Sequence, residues 1–261
     1  VIARKDESTT EPATAPPPPS GPWQALQYVV KSVRPRSALP TVVLIPQDRH
    51  YDKVFNNLAE IRARGGKILA VATFAFPDHF GGAERVITEV CQRLAQRGHS
   101  VTLTTSRPKN GLHIEERDGV TVRRYDVDAS SPAAFYRSVF SGVRTVLADL
   151  PEQPDVVHLH QILSSIAALA PGSPLRGVPV AGSFYAPYHR EYLARFRQGR
   201  DEGAASTKAR FVAGILAKGD RYVLKRCTQI LALSDFSVSQ INEILPDAVE
   251  RTTVAPAGID L

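Results

Sequence analysis

A chain of 261 residues with 43% hydrophobic and 22% charged residues has the makeup of a globular protein able to bury one α/β core or two small ones. Its net charge of +6 suits phosphorylated ligands, an acidic membrane surface or nucleic acid, but no RRM, zinc finger or other nucleic-acid motif is present and aromatic residues are only 7%. No apolar run approaches the ~18 residues of a membrane span and no signal peptide is evident, and the two cysteines, Cys91 and Cys227, lack metal or redox spacing. A reduced, cytoplasmic protein that does not bind nucleic acid is the expectation.

Residues 1–22, rich in Pro, Thr, Ser and Ala, read as a disordered tail. Residues 23–66 form an appended segment with a short strand, Thr41–Ile45, and a helical pattern at Tyr51, Val54, Phe55, Leu58 and Ile61 that stops at Gly65-Gly66. From Lys67 to Pro256 strand and helix alternate. Strands are expected at Lys67–Thr73 and Val101–Thr105, with a helix at Ala83–Arg97, closed by Gly98, between them. Leu112–Glu116 and Val120–Tyr125 flank the hairpin signal Asp118-Gly119. A helix over Ala133–Leu150 precedes a strand at Asp155–His160, a helix at Ile162–Ala170 and a strand at Val178–Ser183. A long helix, Ser206–Arg226, leads to a strand at Gln229–Leu233, a helix from Ser234 to Leu245 and a last strand at Thr252–Ala255. This rhythm predicts an α/β fold: a doubly wound, mostly parallel, Rossmann-like sheet covered by helices.

Such sheets bind ligands beyond the carboxyl ends of their strands. Those ends are polar here: Thr105-Ser106, His160-Gln161, Ser183 and Ser234-Asp235. Gly81-Gly82, between the first strand and its helix, faces the same rim. Glycines let backbone N–H groups approach a phosphate, and a helix start adds partial positive charge. His158 and His160, two apart on a strand, share a face, yet no Asp, Glu or Cys joins them at ligand spacing, so no metal is expected. Glu84 either contacts a sugar or complements the helix dipole, and Ser234 reads first as an N-cap. His79 and Asp78 lie in the loop before the glycines, lining an entrance or solvated.

The stretches KILAVATFAFPDHFGGAERVITEVCQRLAQRGHSVTLTTS, PDVVHLHQ, VPVAGSFYAPYH, CTQILALSDFSVSQI and VAPAGIDL resemble, in this order, the N-terminal half of family 4 glycosyltransferases of the two-domain GT-B fold. The resemblance implies transfer of a sugar from a nucleotide-sugar to a glycan or lipid-linked acceptor, with retained configuration and no obligatory metal or other cofactor. Gly81 and Gly82 would hold the donor phosphate. His160 would face the acceptor or sugar, with His79, Glu84, Ser183 and Ser234 as further sugar or acceptor contacts. The family often places a His shortly after the strand that here ends at Ser183; Phe184-Tyr185 follow instead, so Tyr185 and His189 both stand as candidates for that role. The family's donor-side Glu-x7-Glu motif is not found, so residues 67–256 are expected to be the acceptor-side domain, with 257–261 starting the hinge.

Thr41–Ala72 resembles a strand–helix–strand unit of the sugar-isomerase domain of glucosamine-6-phosphate synthases. A non-catalytic sugar-phosphate-binding module, or a truncated fusion product, is therefore the alternative reading. The basic helix Ser206–Arg226 offers a surface for peripheral contact with the inner face of the cytoplasmic membrane, or a solvated face on a core-packing helix.

Overall fold

The computed structural model describes residues 65–197 and 207–256. The expectations for the proline-rich tail, for the Thr41–Ile45 strand with its following helix, and for the hinge at 257–261 lie outside the described residues. One eight-stranded sheet organises the rest, in the order β3-β4-β2-β1-β5-β6-β7-β8. Its strands are β1 (Lys67–Val71), β2 (Ser100–Ser106), β3 (Ile114–Arg117), β4 (Val120–Tyr125), β5 (Val156–Leu159), β6 (Val180–Phe184), β7 (Gln229–Ala232) and β8 (Thr252–Val254). All neighbours run parallel except the β3–β4 hairpin. That hairpin turns on Asp118 and Gly119, at φ 52° and 79°, the left-handed pair that a tight turn between antiparallel strands requires.

Among the described residues six α-helices connect the strands: α1 (Gly82–Gln96), α2 (Pro132–Ala148), α3 (Ile162–Leu169), α4 (Tyr188–Arg197), α5 (Thr207–Arg226) and α6 (Asp235–Ile244), with a 3-10 turn at Pro246–Arg251 before β8. Central strands buried on both faces need continuous apolar runs rather than alternation. Ile68, Leu69, Ala70 and Val71 of β1, and all of β5, are buried accordingly. Period-two alternation divides β1 between two cores. Ile68 and Ala70 pack with Ile87, Cys91 and Leu94 of α1. Leu69 and Val71 belong to the opposite core, with Val139 and Val143 of α2, Ala167 and Ala168 of α3, and Val223 and Leu224 of α5.

Helix α4 is the element that the sequence pattern missed, and its cap explains why. Asp220, on α5, accepts from the backbone N–H groups of Tyr188 and His189, both at 3.3 Å. The start signal of α4 thus lies on another helix, out of reach of any local cap search. The sole acid of the basic α5 face is correspondingly not on that face: it is buried, 3% exposed.

A second non-local tie fixes the loop after β1. Asp78 pairs with the fully enclosed guanidinium of Arg124 at 2.6 Å and with Arg117 at 3.5 Å. Glu115 accepts from both arginines. The β3–β4 hairpin thereby anchors the segment that leads into Gly81-Gly82. Asp78 is a structural ion-pair member rather than a solvated loop residue.

Candidate functional site

The chain runs from β1 outward to β2, β4 and β3, then returns to β5 and proceeds the other way. The sheet order therefore reverses between β1 and β5, where a crevice opens beyond the strand ends. A cleft of about 420 Å³ lies there, bounded by the ends of β1, β5 and β6 and by helices α1, α3, α4 and α5. Thr73, Phe74, His160, Gln161, Ser183 and Tyr185 contribute from the strand ends, and Ala83, Glu84, Glu191 and Asp220 from the helices.

Gln161 ties the crevice together. Its Oε1 accepts from the backbone N–H groups of Thr73 and Phe74, both at 2.7 Å, while its Nε2 donates to Glu84 Oε1 at 3.0 Å. One side chain thus joins the end of β1, the start of α3 and the first turn of α1. Gly81 is the N-cap of α1, with extended backbone at φ −177° and no side-chain cap. It needs no left-handed conformation. What it provides is room, because a Cβ there would overlap the Glu84 carboxylate, 2.9 Å from Cδ and nearer still to Oε2. Gly82 faces open space, with nothing within 4 Å of an added Cβ. Both glycines are exposed, so the uncapped first-turn N–H groups of α1 open to solvent at the rim of the cleft.

His160 lines the cleft, and His158 lies fully buried beside it. His158 Nε2 meets Ser183 Oγ at 2.9 Å, and His160 Nδ1 meets the Tyr185 hydroxyl at 3.0 Å. Their rings are 3.9 Å apart. Burial holds both imidazoles neutral: His158 is pushed down to about 4, and His160 well below its usual range, with His158 adding to the effect. His160 Nε2 and His158 Nδ1 are buried without a hydrogen-bond partner. The Tyr185 phenol is pushed upward by burial, so it stays protonated and able to donate.

His160, Tyr185, Ser183 and Glu84 converge on the cleft, with Gly81 and Gly82 at its lip. His189 stands behind the wall, its Nδ1 at 2.7 Å from Asp220 Oδ2. Of the two candidates for the slot after β6, Tyr185 is the one in contact with His160. His79 lies off the cleft, Nε2 at 3.2 Å from Ser106 Oγ and its ring tilted 54° to that of Phe74, centroids 4.4 Å apart. Ser234 caps α6, accepting from Ser237 N–H at 3.3 Å, and does not line the cleft. Gln161 and Asp220 were legible only as a polar strand end and as a lone acid in a basic helix. Among the described residues no group of three or more His, Cys, Asp or Glu could hold a metal ion, and no helix is long and apolar enough to cross a membrane.

The fold is similar to that of known proteins. The catalytic domain of starch synthase IV from Arabidopsis thaliana, solved with ADP and acarbose, is similar in fold, with a TM-score of 0.51 and 12% identity over 75% of this chain and 52% of that one. HepE from Anabaena, solved with UDP-glucose, is similar at a TM-score of 0.42 and 16% identity over 75% of this chain and 44% of that one. The chain thus spans about half the length of these structures. No curated protein sequence matches it. The model of glycosyltransferase family 4 matches residues 80–261. That match takes in more than half of the chain and runs from the glycine turn through every strand after β1, and the protein belongs to glycosyltransferase family 4.

Proposed function

We propose that residues 67–256 form the acceptor-side domain of a retaining glycosyltransferase that works with a nucleotide-sugar held over the cleft by a second lobe. The observation that carries this reading is the uncapped N-terminus of α1 opening on the same rim as the cleft. There the amides of Gly82 and Ala83 would donate to the donor diphosphate, and the helix start would favour its charge. In the reaction the bond from the sugar C1 to the diphosphate oxygen breaks, a bond from C1 to the acceptor oxygen forms, and the acceptor proton leaves with the diphosphate. Catalysis would rest on positioning and charge stabilisation.

The lining of the cleft supports an acceptor role for its depth. Beyond Glu84, which stands beside Gly81 at the lip, it carries the carboxylates of Glu191 and Asp220 and, among the described residues, no Lys or Arg. Such a surface accepts hydrogen bonds from sugar hydroxyls and repels a diphosphate. The phosphate is therefore assigned to the rim and the hydroxyl-bearing acceptor, a glycan or lipid-linked sugar, to the floor. His160, which lines the cleft, is the residue assigned to a substrate hydroxyl, with Tyr185 fixing the ring.

Gly82→Asp tests this directly. The site has open space for the side chain, so the variant should fold with an unchanged unfolding midpoint. UDP and ADP, titrated to millimolar concentration, should raise the melting midpoint of the parent chain and leave that of Gly82→Asp unmoved. A parent midpoint unaffected by either nucleotide, or one raised equally in the variant, overturns the assignment.

A further inference from the structure

Helix α5 has an outward face that its packing does not use. It buries Ala209, Ala213, Leu216, Asp220, Val223 and Leu224. At 100° per residue, Phe211, Lys218 and Lys225 line up directly opposite that stripe, with Ile215 and Lys208 beside them. Phe211 is 71% exposed and Ile215 53%. Among the described residues no acid pairs with Lys208, Arg210, Lys218 or Lys225. A purely solvated basic face would not place Phe at its apex and Ile beside it, where water is in contact with them at a cost.

We propose that this face of α5 docks on an anionic lipid bilayer. Phe211 and Ile215 enter the boundary between headgroups and acyl chains, while the surrounding ammonium and guanidinium groups meet lipid phosphates. The helix lies in the interface and does not span it. Its opposite side carries Asp220, Val223 and Leu224 into the cleft, so docking brings the cleft within about one helix diameter, ~10 Å, of the bilayer. If the transferase reading holds, the acceptor is an amphiphile presented by that bilayer; the docking itself does not depend on that reading.

Sedimentation of the full chain with vesicles tests the proposal. Phosphatidylcholine vesicles containing about one-third phosphatidylglycerol should carry the protein down at low salt and release it progressively as salt is raised. Pure phosphatidylcholine should not. Lys208→Ala with Lys218→Ala should weaken binding about twenty-five-fold, from ~1 kcal/mol per cation, and Phe211→Ser with Ile215→Ser by at least tenfold. All four positions are exposed, so matching melting curves would establish that the variants fold. A parent chain that stays in the supernatant, or pairs of variants that bind as the parent does, overturns the proposal. So does retention of RNA by the parent that the lysine variant loses while vesicle binding is unchanged. A parent chain that binds nucleotide but no vesicles would sink the docking alone.

Discussion

Replacing Gly81 by alanine separates a glycine needed for space from one needed for backbone freedom. At φ −177° the backbone is open to any residue, so alanine brings no strain. Its Cβ overlaps the Glu84 carboxylate and forces that side chain away, which breaks the 3.0 Å bond from Gln161 Nε2. A hydrogen bond to a charged group is worth ~1.5–3 kcal/mol when buried, and this half-buried one about 1 kcal/mol. Alanine is also a poorer N-cap than glycine, whereas the stiffer unfolded chain offsets ~0.4–1 kcal/mol. Those two contributions persist when Glu84 is removed. A cycle of Gly81→Ala, Glu84→Ala and the double variant therefore isolates the clash. Urea denaturation should give a coupling of about 1 kcal/mol, the double variant being more stable than the sum of the singles predicts, and thermal midpoints should differ by ~2–4 °C. Additivity within ~0.3 kcal/mol would refute the claim that Gly81 exists to seat Glu84.

The buried pair His158 and His160 predicts an acid-sensitive fold. Burial lowers His158 from 6.5 to about 4, so across that interval the unfolded chain binds a proton that the folded protein does not. Stability falls as pH falls through this window, by up to ~1.4 kcal/mol per pH unit for each histidine. His160 shifts in the same direction. Asp220, raised by burial, opposes the trend only at the acid end. Urea midpoints should drop between pH 7 and 5, with a shallower slope in His160→Asn; a flat parent profile refutes neutral burial. Elsewhere in the floor, an added Cβ at Gly182 of β6 would lie 2.6 Å from the buried Cys227 Sγ. Gly182→Ala should cost about 1–3 kcal/mol by overpacking, and Cys227→Ala should restore most of it in thermal melts. No recovery in the double variant would mean that the strain lies in the strand instead.

How much could be read from the sequence follows from where each signal lies. The parallel strands announce themselves because burial on both faces demands local apolar runs such as Lys67–Val71 and Val156–Leu159. The hairpin was equally plain, since Asp118 and Gly119 carry their conformation in their own chemistry. The polar strand ends marked the rim, and the cleft lies there. What stayed hidden is non-local. Helix α4 is capped by an acid some thirty positions later, and Gln161 reaches Glu84 across 77 residues. Asp78 looked like a loop acid because Arg124 sits on a strand 46 residues away.

Charge shows the same limit at the scale of the whole chain. A net charge of +6 invites the inference that cations recognise a phosphorylated ligand. Among the described residues the fold distributes that charge otherwise: the cations of α5 without an acidic partner face outward, Arg124 and Arg117 are consumed by Asp78 and Glu115, and the cleft lining holds only acids among its charged groups. The proposed diphosphate contact therefore rests on main-chain amides and the α1 terminus, whose partial charge is fixed by geometry rather than by composition. The bulk basicity is left to answer for a surface. Among the described residues four cations of α5 without an acidic partner flank the exposed Phe211 and Ile215, and the proposed docking rests on that combination, since a soluble phosphate has no apolar phase to take the two side chains.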